Sequence, residues 1–149
     1  MRMPTRRQAV VTASLHAGAG AECIAWDASS CSIISGGASG DISVLDLRTL
    51  AVIGRLPRAH IGRIACMALD PGARALATGG QDGAVKLWSF PSLRPAGGIE
   101  KVHPSKSFLG HKLSTGVMLT EGVTGIAFGE DALYSTGADG RVVALERQW

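Results

Sequence analysis

Apolar residues in this chain come in short runs broken by Gly, Asp, Ser and Pro, and nowhere recur with the period of a long helix. One phrase sets the frame. Leu76 to Thr78, the pair Asp82-Gly83 and Ala84 to Trp88 predict two strands around a tight turn. An Asp-Gly pair between apolar runs is a strong hairpin signal, because glycine supplies positive φ without steric cost. The phrase recurs as Ile33 to Leu45, forty-three residues earlier, and as Leu133 to Leu145, fifty-seven later. Recurrence at this spacing points to a repeat fold.

Read in order, Gln8 to Ala13 predicts a strand left over from a preceding unit, and Leu15 to Ala21 a loop. The Gly18-Ala19-Gly20 pattern is not a phosphate-binding loop, since a strand and not a helix follows it. The first unit holds strands at Cys23 to Trp26, Ser32 to Gly36, Asp41 to Leu45 and Leu50 to Leu56. In the second, Ile64 to Leu69 is stopped by Asp70-Pro71-Gly72, the hairpin follows, and Ile99 to Val102 is the expected fourth strand. Gly97-Gly98 lowers the strand preference of that stretch. An excursion from Pro104 to Gly122 makes the third interval fourteen residues longer than the first. The third unit then begins at either Val117 to Leu119 or Ile126 to Phe128, continues through Leu133 to Gly137 and Arg141 to Leu145, and leaves no room for a fourth strand. The expected fold class is all-β, built from four-stranded antiparallel units.

Composition narrows the function classes without choosing one. The 149 residues are 46% apolar and 18% charged, a globular mixture. A net charge of +3, much of it from Arg2, Arg6 and Arg7, does not demand a nucleic-acid partner. Aromatic residues are scarce and basic ones scattered, which also argues against a stacking platform. Cys23, Cys31 and Cys66 show neither paired nor metal-ligand spacing and read as reduced thiols, Cys23 and Cys66 at equivalent repeat positions. That usage suits the cytosol, so a cytoplasmic location is expected, with any membrane association peripheral and through partners. No apolar run approaches the roughly 18 residues of a membrane helix.

A histidine nearly thirty residues before a tryptophan, within a four-stranded period in the low forties, resembles the WD-repeat (WD40) family of β-propellers. The second unit carries that family's polar tetrad as His60, Thr78, Asp82 and Trp88. The resemblance implies that the turn aspartate accepts from the histidine, which reaches the strand hydroxyl and then the indole. Such groups must satisfy one another when buried, since each left unpaired costs about 1–3 kcal/mol. The first unit offers a partial set, His16 and Ser35, with Ser39 where the aspartate belongs. The third offers Thr136 and Asp139, with His103 or His111 as partner. Leu45 and Leu145 replace the tryptophan, so those two units are expected to hold by apolar burial alone.

Ile33 to Gly37, Asp46-Leu47-Arg48, Ala68 to Pro71, Val85 to Trp88, Thr115 to Met118 and Gly137 to Gly140 fall in the order seen at the C-terminal end of the DmX-like proteins, the rabconnectins. That resemblance, over roughly residues 20–145, implies a scaffold linked to assembly of the vacuolar proton-pumping ATPase and to vesicle regulation. The sequence shows no metal-ligand cluster, nucleophile elbow or phosphate loop, so no enzyme activity, cofactor or metal is expected. The chain is expected to divide into an N-terminal segment 1–19, blades at 20–58, 59–102 and 103–149, and a long loop at 104–122. About three blades make a partial, open propeller, which predicts a fragment, a gap filled by the rest of a larger propeller chain, or self-association through open blade edges. Expected partners are therefore proteins, with vacuolar ATPase subunits among them. The candidate binding rim comprises Arg58, Arg63, Gln81, Lys106, His111 and Lys112. A generic WD40 adaptor in another complex, such as a ubiquitin ligase or an RNA-associated assembly, and a nucleic-acid-binding module are the competing readings.

Overall fold

The computed structural model describes residues 12–16, 18–70, 72, 74–104 and 122–147. Among them are eleven strands and no helix, in three antiparallel sheets. The first sheet runs β1 (Ala21–Asp27), β2 (Ser32–Gly37), β3 (Ile42–Asp46), β4 (Ala51–Leu56), each strand pairing with the next. The second repeats it as β5 (Ile64–Asp70), β6 (Ala75–Gly80), β7 (Val85–Ser89), β8 (Arg94–Ile99). The third contains β9 (Val123–Phe128), β10 (Ala132–Gly137) and β11 (Val142–Glu146). The tight turns follow from Gly40, Gly83 and Gly140, whose φ values of 84°, 80° and 78° are closed to most side chains.

The sheets stack face to face, with β5 packed between β1 and β9. Ile34, Ile42 and Val44 of the first sheet meet Ile64, Leu76 and Trp88 of the second. Ala77, Val85 and Leu87 on the opposite face meet Val123 and Leu133 of the third. A middle sheet buried on both faces explains why β6 is a continuous apolar and small-residue run and not an alternating one. The arrangement is a partial, open β-propeller.

One expectation needs correction. The fourth strand of the second sheet is Arg94–Ile99 and not Ile99 to Val102. Gly97 and Gly98, weighed as strand breakers, are what permit it. They sit at φ values of 153° and 147°, and a Cβ on Gly98 would lie 2.7 Å from the Val85 carbonyl oxygen. Glycine inside a strand here marks a bulge and close backbone approach. Of the expected leftover strand Gln8 to Ala13, residues 8–11 lie outside the described residues, and Thr12 and Ala13 are not in a strand. The third sheet begins at Val123–Phe128, and the alternative at Val117 to Leu119 lies outside the described residues.

Candidate functional site

The chemically richest positions are the turns between second and third strands, each of which receives a histidine from the loop entering its own sheet. In the second sheet, His60 Nδ1 lies 3.0 Å from Asp82 Oδ1 and Nε2 lies 2.8 Å from Thr78 Oγ1, while Trp88 Nε1 donates to the same hydroxyl at 2.9 Å. With the aspartate ionised, the proton order follows: indole N–H to threonine, threonine O–H to Nε2, and Nδ1–H to carboxylate. Burial opposes the charge on Asp82, but the His60 ring and the Ile61 and Ala84 amides outweigh it and hold the carboxyl below the usual range.

The flanking sheets build the same set without tryptophan, so their polar networks are not absent as expected. His16 bonds Asp41 Oδ2 at 2.8 Å and Ser35 Oγ at 2.9 Å. Ser39 is not the acid's replacement; the acid has moved two residues along the turn to Asp41, and Ser39 donates to it. In the third sheet His103 bonds Asp139 at 2.9 Å, and the hydroxyl is Ser135 at 3.0 Å. Thr136 instead faces outward and pairs with Thr124. The correction follows from register: Leu133 opposes Leu145 as Leu76 opposes Trp88, which puts Ser135 at the position of Thr78. Asp41 and Asp139 are likewise held below the usual range: burial opposes their charge, and hydrogen bonds from Ser39 and His16, or from the Arg141 amide and His103, prevail.

A further sequence signal supports the set. Gly37, Gly80 and Gly137 lie against the three imidazole rings, so closely that a Cβ at any of them would collide with the ring. Glycine at the end of the second strand is therefore a requirement of ring packing. His60 and His103 also join two sheets each. The His60 amide donates to Gly40 O and the His103 amide to Gly83 O, both at 3.1 Å, while their rings bond within the next sheet.

One carboxylate is incompletely satisfied. Asp82 Oδ2 accepts from the Ile61 amide at 3.0 Å, but the residue after His103 is Pro104, which has no N–H, and Asp139 Oδ2 is buried without a hydrogen-bond partner.

These triads are not built for nucleophilic chemistry, since the Ser35, Thr78 and Ser135 side chains are inaccessible to substrate. Among the described residues, no group of three or more His, Cys, Asp or Glu is placed to hold a metal. No helix among the described residues is long and apolar enough to cross a membrane. Burial pushes the Cys23 thiol up to about 11 and, with the neighbouring Cys23 adding to it, the Cys66 thiol to about 12.

Of the candidate rim residues, Arg58 is exposed beside His60, at a φ of 54°. Arg63 and Gln81 meet at a cleft of about 160 Å³ that Gly122, Val123 and Thr124 also line, and Gln81 N donates to Arg63 O at 2.9 Å. Arg63 also pairs with Glu22 at 3.6 Å. Lys106, His111 and Lys112 lie outside the described residues.

Comparison with known proteins agrees with this geometry. The family model "WD domain, G-beta repeat" matches residues 52–89. DmX-like protein 1 of Mus musculus is 32% identical over 108 residues, 72% of this chain and 3% of that protein. A guanine nucleotide-binding protein subunit beta of Oryza sativa subsp. indica is 35% identical over 74 residues, 48% of this chain and 20% of that one. The β-propeller domain of Cps50 (Swd1) from Myceliophteria thermophila superposes with a TM-score of 0.67 at 14% identity, covering 91% of this chain and 37% of that structure. The chain thus spans well under half the length of each of these relatives.

Proposed function

We propose that this chain, a WD40-repeat chain by its family match and its propeller-like sheets, acts as a protein-interaction scaffold whose binding rim lies at the histidine-bearing end of the sheets. The observation that carries the proposal is the use of every polar triad for internal fastening. His16, His60 and His103 are buried with their acids and hydroxyls, so the chemistry-bearing side chains serve the fold and contact is left to the surrounding loops. On this reading the blades are residues 20–58, 59–102 and 103–149, and Arg58, Arg63 and Gln81 present a basic and polar edge. Lys106, His111 and Lys112 belong to the long loop that leaves the same edge at Pro104 and returns at Gly122. Both feet of that loop pack on the Gly80–Gly83 turn, which supports its inclusion in the rim.

The partner class is an acidic protein surface. The finer proposal, assembly of the vacuolar proton-pumping ATPase, draws on the likeness to a DmX-like protein. The match to a G-protein β subunit, at similar identity over a shorter stretch, supports a general adaptor role as the second reading. Affinity capture with the wild-type chain and with a variant carrying Arg58→Glu, Arg63→Glu, Lys106→Glu and Lys112→Glu tests the proposal. Proteins captured by the first and lost by the second support the rim, and ATPase subunits among them support the finer reading. An identical set with both chains overturns the rim.

A further inference from the structure

The end of the sheets away from the histidines carries a second set of ties between neighbours. Asp27 closes β1 and is 1% exposed. Its carboxylate accepts from the Ser29 amide at 3.1 Å and from the Ser29 and Ser30 hydroxyls at 2.7 and 2.5 Å. Arg74 reaches it from the next sheet: Nη2 lies 3.7 Å from Asp27 Oδ2, and Nη1 donates to Ser29 Oγ at 3.2 Å. Asp70 closes β5 as Asp27 closes β1. Arg147, from the third sheet, donates to Asp70 Oδ2 at 2.5 Å.

The two arginines do not stand at equivalent positions. Ala75 pairs with Ser89 and Ala132 with Glu146, so the next pair along is Arg74 with Phe90 in the second sheet and Asp131 with Arg147 in the third. The backbone keeps the same bond in both: the Phe90 amide donates to Arg74 O at 2.8 Å, and the Arg147 amide to Asp131 O at 3.0 Å. The arginine has therefore moved to the other member of one backbone pair and still meets the acid of the preceding sheet. Each is braced by its own sheet, Arg74 Nε donating to Phe90 O at 3.2 Å and Arg147 Nη1 to Glu130 O at 3.1 Å.

Two positions converging on one contact mark the contact as what the fold uses. Apolar burial between the sheets is non-directional. At the histidine end each junction has a backbone tie, His60 N to Gly40 O or His103 N to Gly83 O. A tie at one end is a pivot; a second at the far end removes the rotation.

We propose that each acid–arginine pair is a clamp that fixes the angle between consecutive sheets, and with it the spacing of the loops at the histidine end. The arginine serves from either member of the backbone pair. Arg74 and Arg147 side chains are 42% and 33% exposed, so water takes up either guanidinium when its clamp opens and the sheets it joins stay folded.

The experiment is amide hydrogen exchange by nuclear magnetic resonance on the full chain, read at His60 and His103, which tie the two junctions at the end opposite the clamps. Arg147→Phe gives the third sheet the residue that the second has at that position. It should speed exchange at His103 about fivefold and leave His60 unchanged. Arg74→Gln should do the reverse. Adding Asp131→Arg to Arg147→Phe puts the arginine where the second sheet carries it and should return His103 to the wild-type rate. The same addition to a chain carrying both Arg147→Phe and Asp70→Ala should restore nothing. Circular dichroism checks that each variant keeps its sheet content, and Arg147→Gln replaces Arg147→Phe if that variant loses it. Unchanged exchange at His103 in the Arg147 variant, both variants speeding both amides alike, or failure of Asp131→Arg to restore the rate would each overturn the proposal. None of these readings needs a rim partner, so failure to capture one leaves them unchanged.

Discussion

Replacing Trp88 tests whether the second sheet holds the stack together through its indole. The side chain is 6% exposed and belongs to the core between the first two sheets, and its nitrogen donates to Thr78 Oγ1 at 2.9 Å. Truncation to alanine removes on the order of 150 Å² of buried apolar surface, about 4 kcal/mol at 25 cal/mol per Å². The lost hydrogen bond adds about 1 kcal/mol. Partial collapse of neighbours onto the space brings the expected loss to roughly 3–5 kcal/mol. Trp88→Leu, which gives the second sheet the pattern of the other two, should lose about 2–3 kcal/mol on the same accounting. Leu145 is only half-buried, so Leu145→Ala should cost about 1–2 kcal/mol. Urea unfolding followed by far-ultraviolet circular dichroism at one fixed chain concentration gives all three, since association would otherwise move the midpoints. Equal losses for Trp88→Ala and Leu145→Ala, or a neutral Trp88→Leu, would refute the reasoning.

Four further outcomes follow from the same geometry. Pro104→Ala restores the amide that Asp139 Oδ2 lacks and should raise the urea midpoint, with no such rise in an Asp139→Asn background. The folded pKa values of Asp41, Asp82 and Asp139 lie below those of the unfolded chain, so their stabilisation is present above the unfolded value of about 4 and lost as pH falls through the folded values. Urea midpoints at neutral pH and near pH 3 should therefore differ, and Asp82→Asn should shrink the difference. Lys101 is exposed at a φ of 56°, so Lys101→Gly should gain up to about 1 kcal/mol in a thermal melt, whereas Lys101→Val should lose stability. Cys23 and Cys66 should resist a disulfide reagent at mildly alkaline pH in the folded chain and react on unfolding, as timed thiol titration would show.

Most of the architecture was legible because strand, turn and repeat signals are local. Alternation, Asp-Gly turns and a recurring phrase need only near neighbours, and they located nine of the eleven strands to within a few residues and gave β9 as one of two alternatives. The exception, Arg94–Ile99, was hidden because Gly97-Gly98 is unfavourable for an isolated strand and becomes suitable only when the Val85 carbonyl approaches from β7. At the site, His60, Thr78, Asp82 and Trp88 stood at a recognisable spacing, and the structure brings them within hydrogen-bond reach.

What the sequence by itself determined was the kind of group each turn would need: an imidazole, a hydroxyl and an acid. Which residues fill those roles in the outer sheets was decided by tertiary structure. Asp41 serves from two positions along the turn because the His16 ring comes to it across the loop, and Ser135 serves in place of Thr136 because register sends alternate side chains to opposite faces. Spacing along a chain cannot report how a turn curls or which face a residue takes. Those depend on the neighbour packed against it, as each histidine depends on the glycine beneath its ring.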